Sequence, residues 1–190
     1  MLSVRIAWLC IGLLWIAAEI RLARNSAKHP GQAIDSDKGS RKWLWLSVIT
    51  GVGLALSFKT LALAPIRIEY GFRQWLALAF FLLGLGLRFW AVHTLGEFFS
   101  THVLIQHQHQ LIMHGPYRWI RHPTYSGLLI ALAGAGLAMG DMLALLLIIL
   151  LPFIAFTERI SNEETAMIQA FGHEYRVYRE TTYKLFPGIY

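Results

Sequence analysis

Apolar and polar positions alternate along this chain in long blocks, not in short periods, and the blocks have the length of membrane spans. Ile6 to Ala18 carries no charge and extends to about twenty residues if Arg5, Glu19 and Arg21 reach the interfaces. Glu19 and Arg21 also stand where a signal peptide would need its small-residue cleavage site, so the block reads as a retained span. The stretch Arg24 to Lys42, rich in Gly, Ser, Pro and charge, is predicted to be a polar loop. Trp43 and Trp45 open a second span that runs to about Ala64, with Lys59 free to snorkel. Pro65 to Arg73 is a short loop, and Trp75 to about Leu95 a third span, with Arg88 and Trp90 near its second interface.

The last apolar block needs arithmetic. From Tyr125 to Phe156 only Asp141 is charged, and one helix of about 32 residues would be about 48 Å long against a hydrocarbon core of about 30 Å. Gly140-Asp141 lies in its middle, so the block is predicted to be a tight hairpin of two spans, 124–139 and 142–157. Gly136 and Gly140, four residues apart, would let two backbones approach closely. The predicted fold is an all-α integral membrane bundle of about five transmembrane helices, the last two a tight helical hairpin, followed by a C-terminal helical segment. It is one membrane domain over 1–190, in which 1–95 supplies the anchoring spans and 96–190 the catalytic part.

Composition supports the bilayer as the solvent: 56% of residues are hydrophobic, 15% are charged, and mean hydropathy is +0.49, too apolar for the surface of a soluble globule of 190 residues. The net charge of +6 is spread over the ends of the apolar runs with no dense patch, which favours anionic lipid headgroups over nucleic acid. Five spans would put 23–42, 96–122 and 158–190 on one side. That side collects Arg21, Arg24, Lys28, Lys38, Arg41, Lys42, Arg118, Arg121, Arg159, Arg176, Arg179 and Lys184, against Arg5, Lys59, Arg67 and Arg73 on the other. The positive-inside bias makes the rich side cytoplasmic and places the N-terminus outside. Cys10, the single cysteine, excludes an internal disulfide and a cysteine-based metal site.

Two polar clusters then share a compartment. The first runs from His114 to Gly127. Pro123 suits the first turn of a helix, His122 is an N-cap-like residue, and the helix start beside Arg121 and His122 is a ready anion site. Gly115-Pro116 is a turn that swings His114 and Tyr117 back over that end. In the second cluster Arg159, Glu163 and Glu164 lead a helix ending near Gly172; if it is continuous, Arg159 and Glu163 are one turn apart on one face. Met167, Phe171 and Tyr175 form an apolar stripe along it. His102, His107, His109 and His114 are dense, but without cysteine and with only Glu97 nearby they read as polar lining or cofactor contacts, and no metal is expected. Gly51-Val52-Gly53 and Gly84-Leu85-Gly86 lie inside apolar spans and are not nucleotide fingerprints.

Leu95-Gly96-x-Phe98, His109-x-Leu111-Ile112-x-His114-Gly115-Pro116-Tyr117, Arg121-His122-Pro123-x-Tyr125-x-Gly127 and Glu163-Glu164-x6-Phe171-Gly172-x-Glu174-Tyr175-x2-Tyr178 resemble the isoprenylcysteine carboxyl methyltransferase family of small integral-membrane methyltransferases. The likeness covers residues 95–187. It implies an all-helical enzyme that takes S-adenosylmethionine from the cytosol, takes a lipidated acceptor from the bilayer, and methylates the carboxylate of a prenylated cysteine, releasing S-adenosylhomocysteine. It further implies that His109, His114, Gly115, Tyr117, His122, Pro123 and Tyr125 surround the cofactor and that Arg159 and Glu163 face the reacting end.

Methyl transfer suits these residues physically. A carboxylate acceptor is ionised at pH 7, so the protein mainly aligns reactants and excludes water, and Arg121 or Arg159 can orient it. A phospholipid amine or a small thiol, the alternative acceptors, would need a proton acceptor such as Glu163 or a neutral histidine. A non-enzymatic membrane scaffold would account for the spans but not for the gathering of His, Arg, Tyr and Glu on one side.

Overall fold

The computed structural model describes residues 2–26, 32–33, 37–100, 104–105 and 110–189. Six helices carry it: α1 (Leu2–Ser26), α2 (Asp37–Leu61), α3 (Tyr70–Leu95), α4 (Pro123–Met139), α5 (Met142–Phe171) and α6 (His173–Thr181). Four of the first five are long and apolar enough to cross a bilayer, and α4 is a shorter apolar helix. The fold is therefore the expected helical membrane bundle. A two-residue antiparallel pair, Gln32–Ala33 with Leu104–Ile105, is the one sheet among the described residues. The α1 and α2 helices extend into the stretch expected to be loop, because polar residues beyond the bilayer still satisfy their backbone in a helix.

Local chemistry fixes the element ends. The Glu69 carboxylate accepts from the N–H of Gly71 and Phe72 at 2.7 and 2.6 Å, capping α3. The predicted hairpin turn is at Gly140-Asp141. Gly140 adopts a left-handed φ of 81°, and Asp141 starts α5 by accepting from the N–H of Leu143 and Ala144 at 2.9 and 3.1 Å. Its other oxygen accepts from Ala64 N–H at 2.8 Å, which ties the α2–α3 loop to the hairpin. The α5 helix contains Pro152 and continues without a break to Phe171, so its 30 residues span about 45 Å. It is longer than a hydrocarbon core of about 30 Å.

The close approach anticipated for Gly136 and Gly140 is distributed differently. Gly136 does face a neighbour, since a Cβ there would be 2.7 Å from Ile148 Cγ2 on α5, whereas Gly140 serves the turn. The tightest seam lies between α3 and α4. A Cβ on Gly84 would be 2.5 Å from Gly127 O, one on Gly127 2.6 Å from Gly84 O, and one on Gly134 2.6 Å from Ala77 O. Backbone contact of this kind substitutes for the hydrophobic drive that lipid removes. The seam aligns the end of α3 with the start of α4, where the polar cluster lies.

Glu19, expected to reach an interface, and Arg88, expected near the second interface of its span, meet each other. Arg88 Nε and Nη2 donate to the two carboxylate oxygens of Glu19 at 2.6 and 2.7 Å. Mutual neutralisation between adjacent helices removes the reason for either side chain to reach water.

Candidate active site

The hairpin brings the two polar clusters together. On α4, Tyr125 presents its hydroxyl to α5, where it donates to Glu163 Oε1 at 2.5 Å and accepts from Arg159 Nε at 2.8 Å. Arg159 Nε also lies 3.1 Å from Glu163 Oε1, the one-turn pair that a continuous helix predicts. Arg159 is almost wholly buried, so this is not an exposed ion pair of small value. The imidazole of His122 lies between the adjacent carboxylates, with Nε2 3.3 Å from Glu164 Oε1 and Nδ1 3.6 Å from Glu163 Oε2.

Arg121 takes a different partner set. Its Nε donates to Glu164 Oε1 at 2.9 Å, and its Nη1 donates to the backbone carbonyls of Arg179, at 2.9 Å, and Thr182. Arg179 Nε adds a contact of 3.4 Å to the second oxygen of Glu164. Glu164 is thus the hub that binds the α4 start to the α6 end.

The chain after α6 folds back over this end of the bundle. Arg121 N–H donates to Tyr183 O at 2.8 Å, His122 N–H to Lys184 O at 3.1 Å, and Ser126 Oγ to Leu185 O at 2.5 Å. Leu185 is fully buried against Leu129, Phe156 and Ile160. Carbonyl oxygens of this strap take the N–H groups of Arg121 and His122, the two residues just before the helix start at Pro123. His122 sits at the N-cap position but makes no side-chain capping bond, because its ring is turned to the two glutamates.

A cavity of about 930 Å³ opens beside these residues. Tyr117, Arg121, His122, Tyr125, Arg159 and Glu163 line it together with Tyr175 and Tyr178. Its apolar wall comes from α1 and α2, through Trp15, Ile20, Leu44, Trp45, Val48 and Ile49, and from Leu128, Leu132 and Phe156. Tyr178 donates to Tyr117 O at 2.6 Å and so fixes the loop against α6. Burial, followed by the charges of Tyr178 and Glu163, pushes the Tyr117 phenol well above its ordinary value, with Arg88 opposing. Burial does the same for Tyr178 against the opposing charge of Arg121. Both phenols stay neutral at physiological pH.

Some predicted site residues fall elsewhere. His114 is exposed and Pro123 is buried at the first turn of α4, and neither lines the cavity. Gly115, at φ 59°, seats the turn against the Thr94 side chain, which a Cβ would meet at 2.9 Å. His109, with His102 and His107, lies outside the described residues. No group of three or more His, Cys, Asp or Glu side chains among the described residues is placed to hold a metal ion. Glu164, Arg88, Glu19 and the 182–186 strap were not singled out as site residues. Glu164 had a signal, its place beside Glu163 in a recognised motif, whereas the others depend on contacts across 59 to 69 positions.

A helical membrane bundle with a chamber that joins an apolar wall to buried Arg, Glu, Tyr and His side chains defines an intramembrane enzyme that handles an amphiphile. The sequence model of the isoprenylcysteine carboxyl methyltransferase (ICMT) family matches residues 76–169. A probable protein-S-isoprenylcysteine O-methyltransferase of rice (Oryza sativa subsp. indica) is 37% identical over 145 residues, 72% of this chain and 75% of the relative. A protein-S-isoprenylcysteine O-methyltransferase of Schizosaccharomyces pombe is 35% identical over 106 residues, 55% of this chain and 45% of the relative. The solved eukaryotic intramembrane Ras methyltransferase ICMT superposes with a TM-score of 0.59 at 25% identity, over 79% of this chain and 51% of that one. The chain thus spans three quarters of the rice relative and about half of the yeast relative and of the solved chain. The chain belongs to the isoprenylcysteine carboxyl methyltransferase family.

Proposed function

We propose that this chain is a protein-S-isoprenylcysteine O-methyltransferase whose methyl donor is S-adenosylmethionine. The observation that carries the reading is the junction at Tyr125, Arg159 and Glu163, where the polar part of one chamber meets its apolar wall. A lipidated acceptor is apolar along its chain and anionic at its head, and only at such a junction are both parts accommodated. The donor supplies an electrophilic methyl on a positively charged sulfur. An acceptor carboxylate, already ionised at pH 7, would take that methyl without a proton acceptor, so the residues here need only align it and exclude water.

The side chains then have separable work. The Arg159 guanidinium, held by Tyr125 and Glu163, orients the acceptor carboxylate. The Glu163 carboxylate fixes that orientation and balances positive charge near the transferring methyl. Tyr117, Tyr125 and His122 line the donor side, with Gly115 and Pro123 shaping the loop and helix start that hold them and Arg121 bracing α4 against α6. His114 is assigned to the outer rim of the donor site, and His109 to a donor contact on the family likeness alone. The chain is oriented with its N-terminus outside and with the 96–122 loop and the C-terminal segment in the cytoplasm, where a water-soluble donor is available.

Titrating the purified protein with S-adenosylhomocysteine, followed by methyl-transfer assays on N-acetyl-farnesylcysteine, phosphatidylethanolamine and a simple thiol, tests this reading. Binding, with transfer to the prenylcysteine in preference to the other two, is expected. Transfer only to the amine or the thiol would replace the acceptor class, and no binding would leave a scaffold. In the same assay His122→Ala and Tyr125→Ala are expected to weaken S-adenosylhomocysteine binding by about tenfold, roughly 1.4 kcal/mol. Unchanged affinity in both would return these residues to a structural role. Single cysteines introduced at Gln110 and at Lys184 should label from the cytoplasmic side alone. Labelling of the two from opposite sides would dissolve the shared chamber.

A further inference from the structure

We propose that Glu19 is a positioning residue for the transfer: it holds Arg88 on the chamber wall so that the guanidinium can receive the acceptor's carboxylate, which makes α1 part of the acceptor seat. The proposal rests on the prenylcysteine reading above. It concerns a helix that lies outside the residues matched by the family model, which begin at 76.

Among the described residues the cations that line the chamber are Lys42, Arg88, Arg121 and Arg159. Arg121 is committed to Glu164 and to two backbone carbonyls, and Lys42 is on the exposed rim. Arg88 is buried to 8% exposure in an otherwise apolar region of α3. Two of its contacts go to Glu19, and a guanidinium has five N–H donors, so donors remain for a further carboxylate oxygen. Glu19 is more open, with 29% of its side chain exposed, and Trp15 Nε1 donates to its Oε1 at 3.0 Å. The direction of the Arg88 fork is therefore set from α1.

Depth places this pair on the acceptor's side. A Cβ on Gly127 would lie 2.7 Å from Arg88 N, and Gly127 is two residues beyond Tyr125, about 3 Å deeper along α4. The backbone of Arg88 is thus set slightly deeper than Tyr125, and Arg88 lines the same chamber as Arg159. Arg88, Tyr117 and Glu163 all line the chamber, so the two polar centres face one space. Without Glu19, an isolated guanidinium in that wall would turn toward water and leave the acceptor path. The α1 helix has other attachments, since Trp8 and Trp15 meet Phe81 edge-on at 5.1 and 5.6 Å. Loss of the ion pair alone need not release it.

The test uses the full chain with Glu19→Ala, Arg88→Lys and the exchanged pair Glu19→Arg/Arg88→Glu. Each is assayed for the KM of N-acetyl-farnesylcysteine, for inhibition by its carboxamide, and for S-adenosylhomocysteine affinity, which also reports folding. Both single variants are expected to raise the KM about tenfold or more while carboxamide inhibition and S-adenosylhomocysteine affinity stay within about twofold. The exchanged pair, which restores the α1–α3 ion pair, should not restore the KM. Recovery of the wild-type KM in the exchanged pair, or an unchanged KM in both single variants, would reduce the pair to a tie between helices and overturn the proposal. So would a parallel loss of S-adenosylhomocysteine affinity, which would give Arg88 to the donor, or a KM lowered by Glu19→Ala, which would make Glu19 a competitor of the acceptor. If the exchanged pair fails to bind S-adenosylhomocysteine, the single variants decide. Failure of wild type to methylate N-acetyl-farnesylcysteine at all would instead remove the functional reading.

Discussion

Arg159→Ala and Glu163→Ala are each expected to abolish most methyl transfer while binding S-adenosylhomocysteine within about tenfold of wild type, roughly 1.4 kcal/mol. Arg159 is buried and is held from both sides, by Tyr125 at 2.8 Å and by Glu163 at 3.1 Å. It lies about 26 Å along α5 from Met142, where a lipidated acceptor must present its head to a donor from water. A group that aligns the acceptor with the transferring methyl contributes mainly in the transition state. Its removal should lower kcat and kcat/KM together, on the order of 100-fold to 1,000-fold. Glu163→Gln separates charge from shape, because the amide can still accept from Tyr125 but no longer balances the guanidinium. It should fall between wild type and Glu163→Ala. Single-turnover assays beside S-adenosylhomocysteine titration make the measurement, and near-normal transfer in both alanine variants would leave the pair as helix packing.

Much of this was legible in the chain, for reasons that can be named. Apolar runs report bilayer thickness directly, so the spans were visible, and Gly140-Asp141 declared the hairpin because one helix over 125–156 would be too long. Once the hairpin is known, Tyr125 and Arg159 must lie at the same end, and the continuous α5 puts Glu163 one turn from Arg159. The rest was hidden because sequence shows type and spacing but not azimuth. Nothing local distinguishes an Arg88 that snorkels from one that meets Glu19 on a helix 69 positions away. The strap was hidden too, because the oxygens of Tyr183 and Lys184 that take the N–H groups of Arg121 and His122 come from the far end of the chain. The Gly84, Gly127 and Gly134 seam was obscured for a similar reason, since glycine is frequent in membrane helices and only the facing backbone shows which ones matter.

Neighbouring carboxylates on α5 should separate stability from turnover. Glu164→Ala is expected to destabilise the protein by about 3–5 kcal/mol, the usual cost of leaving a buried charge without its partner. The side chains of Arg121 and Glu164 are only 8% and 7% exposed, and Glu164 also receives His122 at 3.3 Å and Arg179 at 3.4 Å. Removing it strands Arg121 beside the carbonyls of Arg179 and Thr182 and loosens α6 from the start of α4. At roughly 2–4 °C per kcal/mol for a chain of this size, the Tm of the detergent-solubilised protein should fall by about 10 °C. Saturating S-adenosylhomocysteine should return part of that loss, because ligand bound only to the folded state adds stability by mass action. Glu163→Gln, which keeps an oxygen to accept from Tyr125 and Arg159, is expected to lower the Tm by less than Glu164→Ala while losing turnover. A Glu164→Ala protein that melts like wild type would show that Arg121 and His122 find other counter-charges, and the division of labour between the two glutamates would not hold.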